Sequence, residues 1–205
     1  DFAYVNGGAS QVALSSALGL AARGLDVRFL AAVGPADPRL RECLGTHLTC
    51  LDQHEILRDP HRLRAVRNGM WNPTSQRSIR ELFNTLNPRE TIVHLHGWTK
   101  ALSAAAAAEV FRLQFPLVVS MHDYFLACPN GAFYNYPAGR HCALKALSAG
   151  CLLSSCDSRN YIHKLWRFSR GLIQIGPGKL PGGINHFISV SPFSWKLLRP
   201  YLPPN

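Results

Sequence analysis

The chain has 205 residues, 47% of them hydrophobic and 17% charged, which suits one sizeable α/β core and excludes a disordered chain. No apolar run approaches the ~20 residues of a membrane span, and the alanine stretch Ala104–Ala108 is far too short. Its 22 Lys and Arg outnumber 12 Asp and Glu, so the surface is either merely basic or attracts an anionic partner such as a lipid headgroup or a phosphorylated acceptor. The Arg-rich segments 58–80 and 159–170 lack the interleaved aromatic residues that stack on bases, which argues against nucleic acid.

Helix and strand signals alternate along the chain. Gly7-Gly8-Ala9-Ser10 opens a helix reaching Ala22, with Val12 and Leu18 on its apolar face and Gly24 as its stop. Asp26–Ala32 reads as a strand closed by Gly34-Pro35, and a polar, Arg-rich region with short helices follows. Thr74 or Ser75 is placed to cap a helix through Leu86, ended by Asn87-Pro88. Thr91–Gly97 is a buried-type strand, Ser103–Arg112 an alanine-rich helix, and Leu117–Met121 a second apolar strand.

The next segment, to about Cys156, is loop-rich. Asp157 or Ser158 then caps a helix to about Arg170, where Lys164, Arg167 and Arg170 recur every three residues and predict a basic stripe for an anionic membrane or acceptor. His186–Ser191 is a short strand and Pro192–Leu198 a closing helix. This alternation predicts a Rossmann-like α/β fold, one domain over 1–205, with a mainly parallel sheet covered by helices on both faces.

Such sheets bind ligands at the carboxyl ends of their strands. The rule selects Gly7-Gly8, His96-Gly97 and His122-Asp123, which are expected on one rim. A glycine pair before a helix lets backbone N–H groups approach a phosphate, although the dinucleotide fingerprint is absent. His122, directly after an apolar strand, is a group that exchanges hydrogen bonds near neutral pH. No nucleophile elbow or Ser-His-Asp order points to a hydrolase.

Six cysteines are present, four of them close together: Cys128, Cys142, Cys151 and Cys156. Four thiolates satisfy a tetrahedral zinc ion, but the spacing is wider than that of a zinc ribbon. The residues leave a structural zinc, disulfides and free thiols all open.

Four segments resemble glycosyltransferase family 4, in that family's order: Asn6-Gly7-Gly8-Ala9-Ser10 with its helix, Val93-His94-Leu95-His96-Gly97, Pro116–Pro129, and Phe187–Ser194. The resemblance implies the N-terminal, acceptor-side half of a GT-B fold. It implies a retaining hexosyltransferase moving a sugar from a nucleotide-sugar donor to a glycan or lipid-linked acceptor of the cell envelope, with no cofactor needed for catalysis. Gly7 and Gly8 inherit contact with the donor diphosphate, His122 the catalytic contact with the transferring sugar, and His96 and Asp123 the acceptor side.

Against the family pattern, the first strand is shortened to Asp1–Val5 and the C-terminal donor-binding domain is absent. The fragment alone is therefore expected to be inactive, and the whole to work in the cytoplasm, peripheral to the inner membrane face. The alternatives are an α/β module that binds a nucleotide or phosphorylated ligand without turnover, and a membrane-surface interaction domain.

Overall fold

The computed structural model describes residues 1–204. They gather in two compact units, the first of residues 1–86 and 95–109, the second of residues 87–94 and from 110 onward.

Unit 1 begins with helix α1 (Gly8–Ala21), strand β1 (Phe29–Ala31), helix α2 (Pro38–Leu44) and strand β2 (Leu48–Cys50). β1 and β2 pair in parallel, Phe29 opposite Leu48 and Ala31 opposite Cys50. The start of the chain takes the place of the expected shortened strand: Phe2 forms a parallel bridge to Val33, and the Ala3 N–H donates to the Val33 carbonyl at 2.9 Å. Leu14 and Ala17 of α1 pack on Leu40 and Leu44 of α2. β2 lies in the region read from sequence as short helices; at three residues, Leu48–Cys50 is too short to show an alternating pattern.

Helices α3 (Arg62–Met70) and α4 (Pro73–Phe83) follow. The cap of α4 is Asn72, not Thr74 or Ser75: its side-chain oxygen accepts from the N–H groups of both, at 3.1 and 3.2 Å. Asn72 is fully buried, and its amide also donates to Gln53 and to the Ala101 carbonyl, each at 2.7 Å. Buried Glu109 receives Arg80 at 2.8 Å and Gln76 at 2.9 Å, so the carboxylate is not left unpaired.

Strand β3 (Val93–Leu95) and helix α5 (Ala104–Arg112) straddle the sequence boundary between the units. In unit 2 follow β4 (Leu117–Met121), the short hairpin β5 (Tyr134–Asn135) and β6 (Arg140–His141), helices α6 (Ala149–Leu153) and α7 (Tyr161–Ile175), β7 (His186–Ser189) and α8 (Pro192–Leu198). The sheet order is β3-β4-β7, with β4 and β7 parallel and Val118 opposite His186. Leu117, Val119 and Met121 of β4 are buried, as an apolar strand covered on its faces requires. The fold is the mixed α/β arrangement of parallel strands and flanking helices that the sequence predicts.

Helix α7 differs from the sequence expectation in its cap, its end and its exposed face. Asn160 caps it, accepting from the His163 N–H at 2.8 Å, and the helix runs on to Ile175. The expected basic stripe does not form. Lys164 is fully buried, Arg167 lies 3.3 Å from the buried Asp157 carboxylate, and Arg170 stacks on Trp166 with 4.8 Å from guanidinium to ring centre. Among the described residues, no helix is long and apolar enough to cross a membrane.

Candidate functional site

Gly7 ends the extended start of the chain with φ +96°, a left-handed conformation that strains any residue with a Cβ. It caps α1 with no side chain bonded to the helix start. Ser10 ties the turn together instead, accepting from the Asn6 N–H at 2.6 Å and donating to the Gly7 carbonyl at 3.0 Å. Gly7 and Gly8 are both exposed, and a Cβ added to either would meet nothing within 4 Å. The first turn of α1 holds no acidic side chain. An exposed helix start with neither a side-chain cap nor an acidic residue has the dipole and backbone N–H groups that suit an anion.

His96, also in unit 1, starts the segment that joins β3 to α5. The Asp1 carboxylate accepts from the N–H groups of Lys100, Ala101 and Leu102, each at 3.0 Å. The Asn72 N–H donates to the Ser103 hydroxyl at 2.8 Å, and the Ile56 N–H to the Lys100 carbonyl at 2.9 Å. The segment after His96-Gly97 is thus fixed by hydrogen bonds from three directions.

His122 and Asp123, in unit 2, leave the carboxyl end of β4. His122 is partly buried and Asp123 exposed. Burial holds the His122 imidazole below the ordinary histidine pKa, which favours the uncharged ring at neutral pH. His94 is held low by the same effect and then by the nearness of His122. His94 Nε2 lies 2.9 Å from the Ser120 hydroxyl. Two imidazoles and a hydroxyl therefore gather at the ends of β3 and β4. Asp123 accepts from the Phe125 N–H at 3.0 Å, which turns the chain sharply away from the strand.

Neither Ser120 nor His94 stands out in the sequence as a site residue. The signal for Ser120 was a lone hydroxyl within Leu117–Met121, sharing a strand face with His122 by the two-residue period.

The four downstream cysteines lie in unit 2 and all are free, so no disulfide joins them. Cys128, Cys151 and Cys156 are buried and Cys142 half-buried. Among the described residues, no three or more His, Cys, Asp or Glu side chains stand in a closed set around a metal position. The sequence reading of Cys128, Cys142, Cys151 and Cys156 as a tetrahedral ligand set is thus not met by their side-chain positions as they stand.

The model of the family described as glycosyl transferase 4-like domain matches residues 7–157. The chain matches no curated protein and no solved structure.

Proposed function

From the chain's membership of the glycosyl transferase 4-like domain family, we propose that it is the acceptor-side half of a retaining transferase that moves a hexose from a nucleotide sugar to an anionic glycan or lipid-linked acceptor. The observation that carries this reading is the exposed helix start at Gly7-Gly8, which has no side-chain cap and leaves backbone N–H groups suited to an anion.

In this reading the donor diphosphate rests against Gly7 and Gly8. When the glycosidic bond to the diphosphate breaks, negative charge grows on the leaving group and positive charge on the sugar ring. The fixed N–H dipoles of α1 take up the first of these without reorganising. An uncharged His122 suits the second, because an imidazolium would oppose a growing oxocarbenium charge, and burial keeps the ring in the neutral form. His94 and Ser120, bonded to each other, stand near His122 in the same unit, and His96 and Asp123 are the residues assigned in this reading to contact the acceptor.

An anionic acceptor is favoured by how charge is distributed. From Tyr124 onward Asp157 is the sole acidic residue, and it is spent on Arg167, whereas Arg140, Lys145, Arg159, Lys179, Lys196 and Arg199 are all exposed. This replaces the lost α7 stripe as the reason to expect an anionic partner, and it fits work at the cytoplasmic face of a membrane.

The test is donor binding in the full-length protein. Gly8→Ala adds a methyl group to open space, so it should fold as wild type and still weaken nucleotide-sugar affinity about tenfold, by ~1.4 kcal/mol. Unchanged affinity would reject the placement of the diphosphate.

A further inference from the structure

Helix α7 is folded inside out. Ile162, Leu165, Ser169 and Leu172 recur at intervals of three and four residues, so they form one stripe along the helix. In a helix packed on a protein core, an apolar stripe of this kind turns inward. Here Lys164 and Gln174 are buried instead, beside Phe168, while Ile162 is 79% exposed, Leu172 is 52% exposed and Leu165 is half-buried.

Polar contacts fix the helix in this orientation. The Lys164 ammonium donates to the Cys151 and Leu152 carbonyls of α6 and sits over the Phe168 ring at 5.0 Å. The Gln174 amide donates to the Phe125 carbonyl at 2.9 Å, and Arg167 lies 3.3 Å from the buried Asp157 carboxylate. Turning the leucines inward would strip these polar groups of their partners, which costs more than burying the stripe recovers. The apolar face therefore stays outward.

That face continues onto α6. The Tyr161 hydroxyl donates to the Leu152 carbonyl at 3.0 Å, which sets the end of α6 beside the first turn of α7, and the next residue, Leu153, is 77% exposed. Exposed Arg159 precedes the stripe and exposed Lys179 follows it. On its flank the Arg170 guanidinium lies over the Trp166 ring at 4.8 Å.

A lone exposed leucine needs no explanation, but a stripe of apolar side chains joined to Leu153 does. Charge decides what covers it. From Tyr124 onward nine Lys and Arg stand against one acidic residue, the buried Asp157. A second copy would bring the same cations against this face, and like charges oppose that association. An anionic bilayer attracts the cations and takes apolar side chains into its headgroup and acyl boundary.

We propose that the outward face of α7, formed by Ile162, Leu165 and Leu172 with Leu153 of α6, lies in the surface of an anionic membrane, with Arg159 and Lys179 on the lipid headgroups. The helix rests in the interface plane; among the described residues no helix is long and apolar enough to cross. This assignment rests on the anionic partner proposed above, but not on the transfer reaction.

The test is partition of the full-length protein, without donor, onto vesicles of phosphatidylcholine carrying about 30% phosphatidylglycerol. Wild type should sediment with these vesicles and not with pure phosphatidylcholine. Ile162→Ser combined with Leu172→Ser keeps every charge and changes only exposed side chains, so it should fold as wild type and lower partition at least about tenfold. Arg159→Gln with Lys179→Gln should weaken partition and flatten its salt dependence. Leu63→Ser, at an 88% exposed position of unit 1, should change nothing. Undiminished partition of the double serine variant would overturn the proposal and leave the general anionic attraction standing, and a greater loss in Leu63→Ser would overturn it too. Wild type that binds no vesicle would overturn it as well, while sugar transfer, measured separately, judges the transferase reading. A dimer in sedimentation velocity that the double serine variant dissolves, without vesicle binding, would give the face to a second copy instead.

Discussion

Asn72→Ala should be among the most damaging substitutions outside the hydrophobic core. The side chain has three roles, each visible in a distance. Its oxygen caps α4 through the Thr74 and Ser75 N–H groups at 3.1 and 3.2 Å, and losing a cap costs about 1 kcal/mol. Its amide satisfies the Ala101 carbonyl at 2.7 Å, and leaving that buried acceptor bare costs about 1–3 kcal/mol. The bond to Gln53, also 2.7 Å, ends on a half-buried side chain that water reaches, so its loss counts for less.

Together the loss is about 3 kcal/mol, or a Tm drop of roughly 6–12 °C for a chain of this size. Asn72→Ser separates the contributions, because a serine oxygen restores the cap but does not reach Ala101, and should recover about 1 kcal/mol of the loss. Thermal and urea unfolding of the three proteins reads these differences directly. A loss below about 1 kcal/mol for Asn72→Ala, or a serine variant no better than the alanine one, would mean that the cap and the Ala101 bond do not stabilise the fold as assigned. The substitution also frees the segment after His96, so faster amide exchange at Ala101 and Leu102 should accompany it.

Gly7→Ala forces a Cβ into φ +96° and should cost about 1–2 kcal/mol in the same unfolding assays, unlike Gly8→Ala, which should cost little. Lowering the pH should destabilise the fold through His94, His122 and His163, all held below the ordinary histidine pKa, chiefly by burial. Their contribution is intact above ~6.5, the unfolded value, and is lost as pH falls below it through the lowered native values, because the unfolded chain binds protons first. Urea midpoints between pH 7.5 and 5 should fall, and less so in His94→Gln; a flat profile would contradict the shifts. Vesicle sedimentation of the full-length protein should show binding that rises with anionic lipid and falls with salt, and binding indifferent to both would remove the anionic acceptor face.

Strongly periodic or apolar segments were legible. Leu117–Met121 forms the strand its composition predicts, with the predicted bounds, and α1 and α8 lie within a residue of theirs. What escaped was set by contacts distant in sequence. β2 exists because Leu48–Cys50 pairs with Phe29–Ala31, not because three residues show a pattern. Asn72 outcompetes Thr74 and Ser75 as a cap because Gln53 and Ala101 hold its amide in place. The basic stripe of α7 failed because spacing says which residues share a face but not which way it points; Lys164 turns inward to two carbonyls.

At the candidate site, Gly7-Gly8 and His122-Asp123 were legible as strand-end and helix-start punctuation. Ser120 becomes visible only once the structure sets its hydroxyl against His94.

The most direct test of the central claim is the product of sugar transfer by the full-length protein, with the anomeric configuration read by proton NMR against a panel of nucleotide sugars. A retaining transferase gives transfer from one donor with the anomeric configuration retained, and a rate about 100-fold lower or more in His122→Ala at unchanged stability. An inverted product, or undiminished transfer by His122→Ala, would rule out the proposed role of this chain.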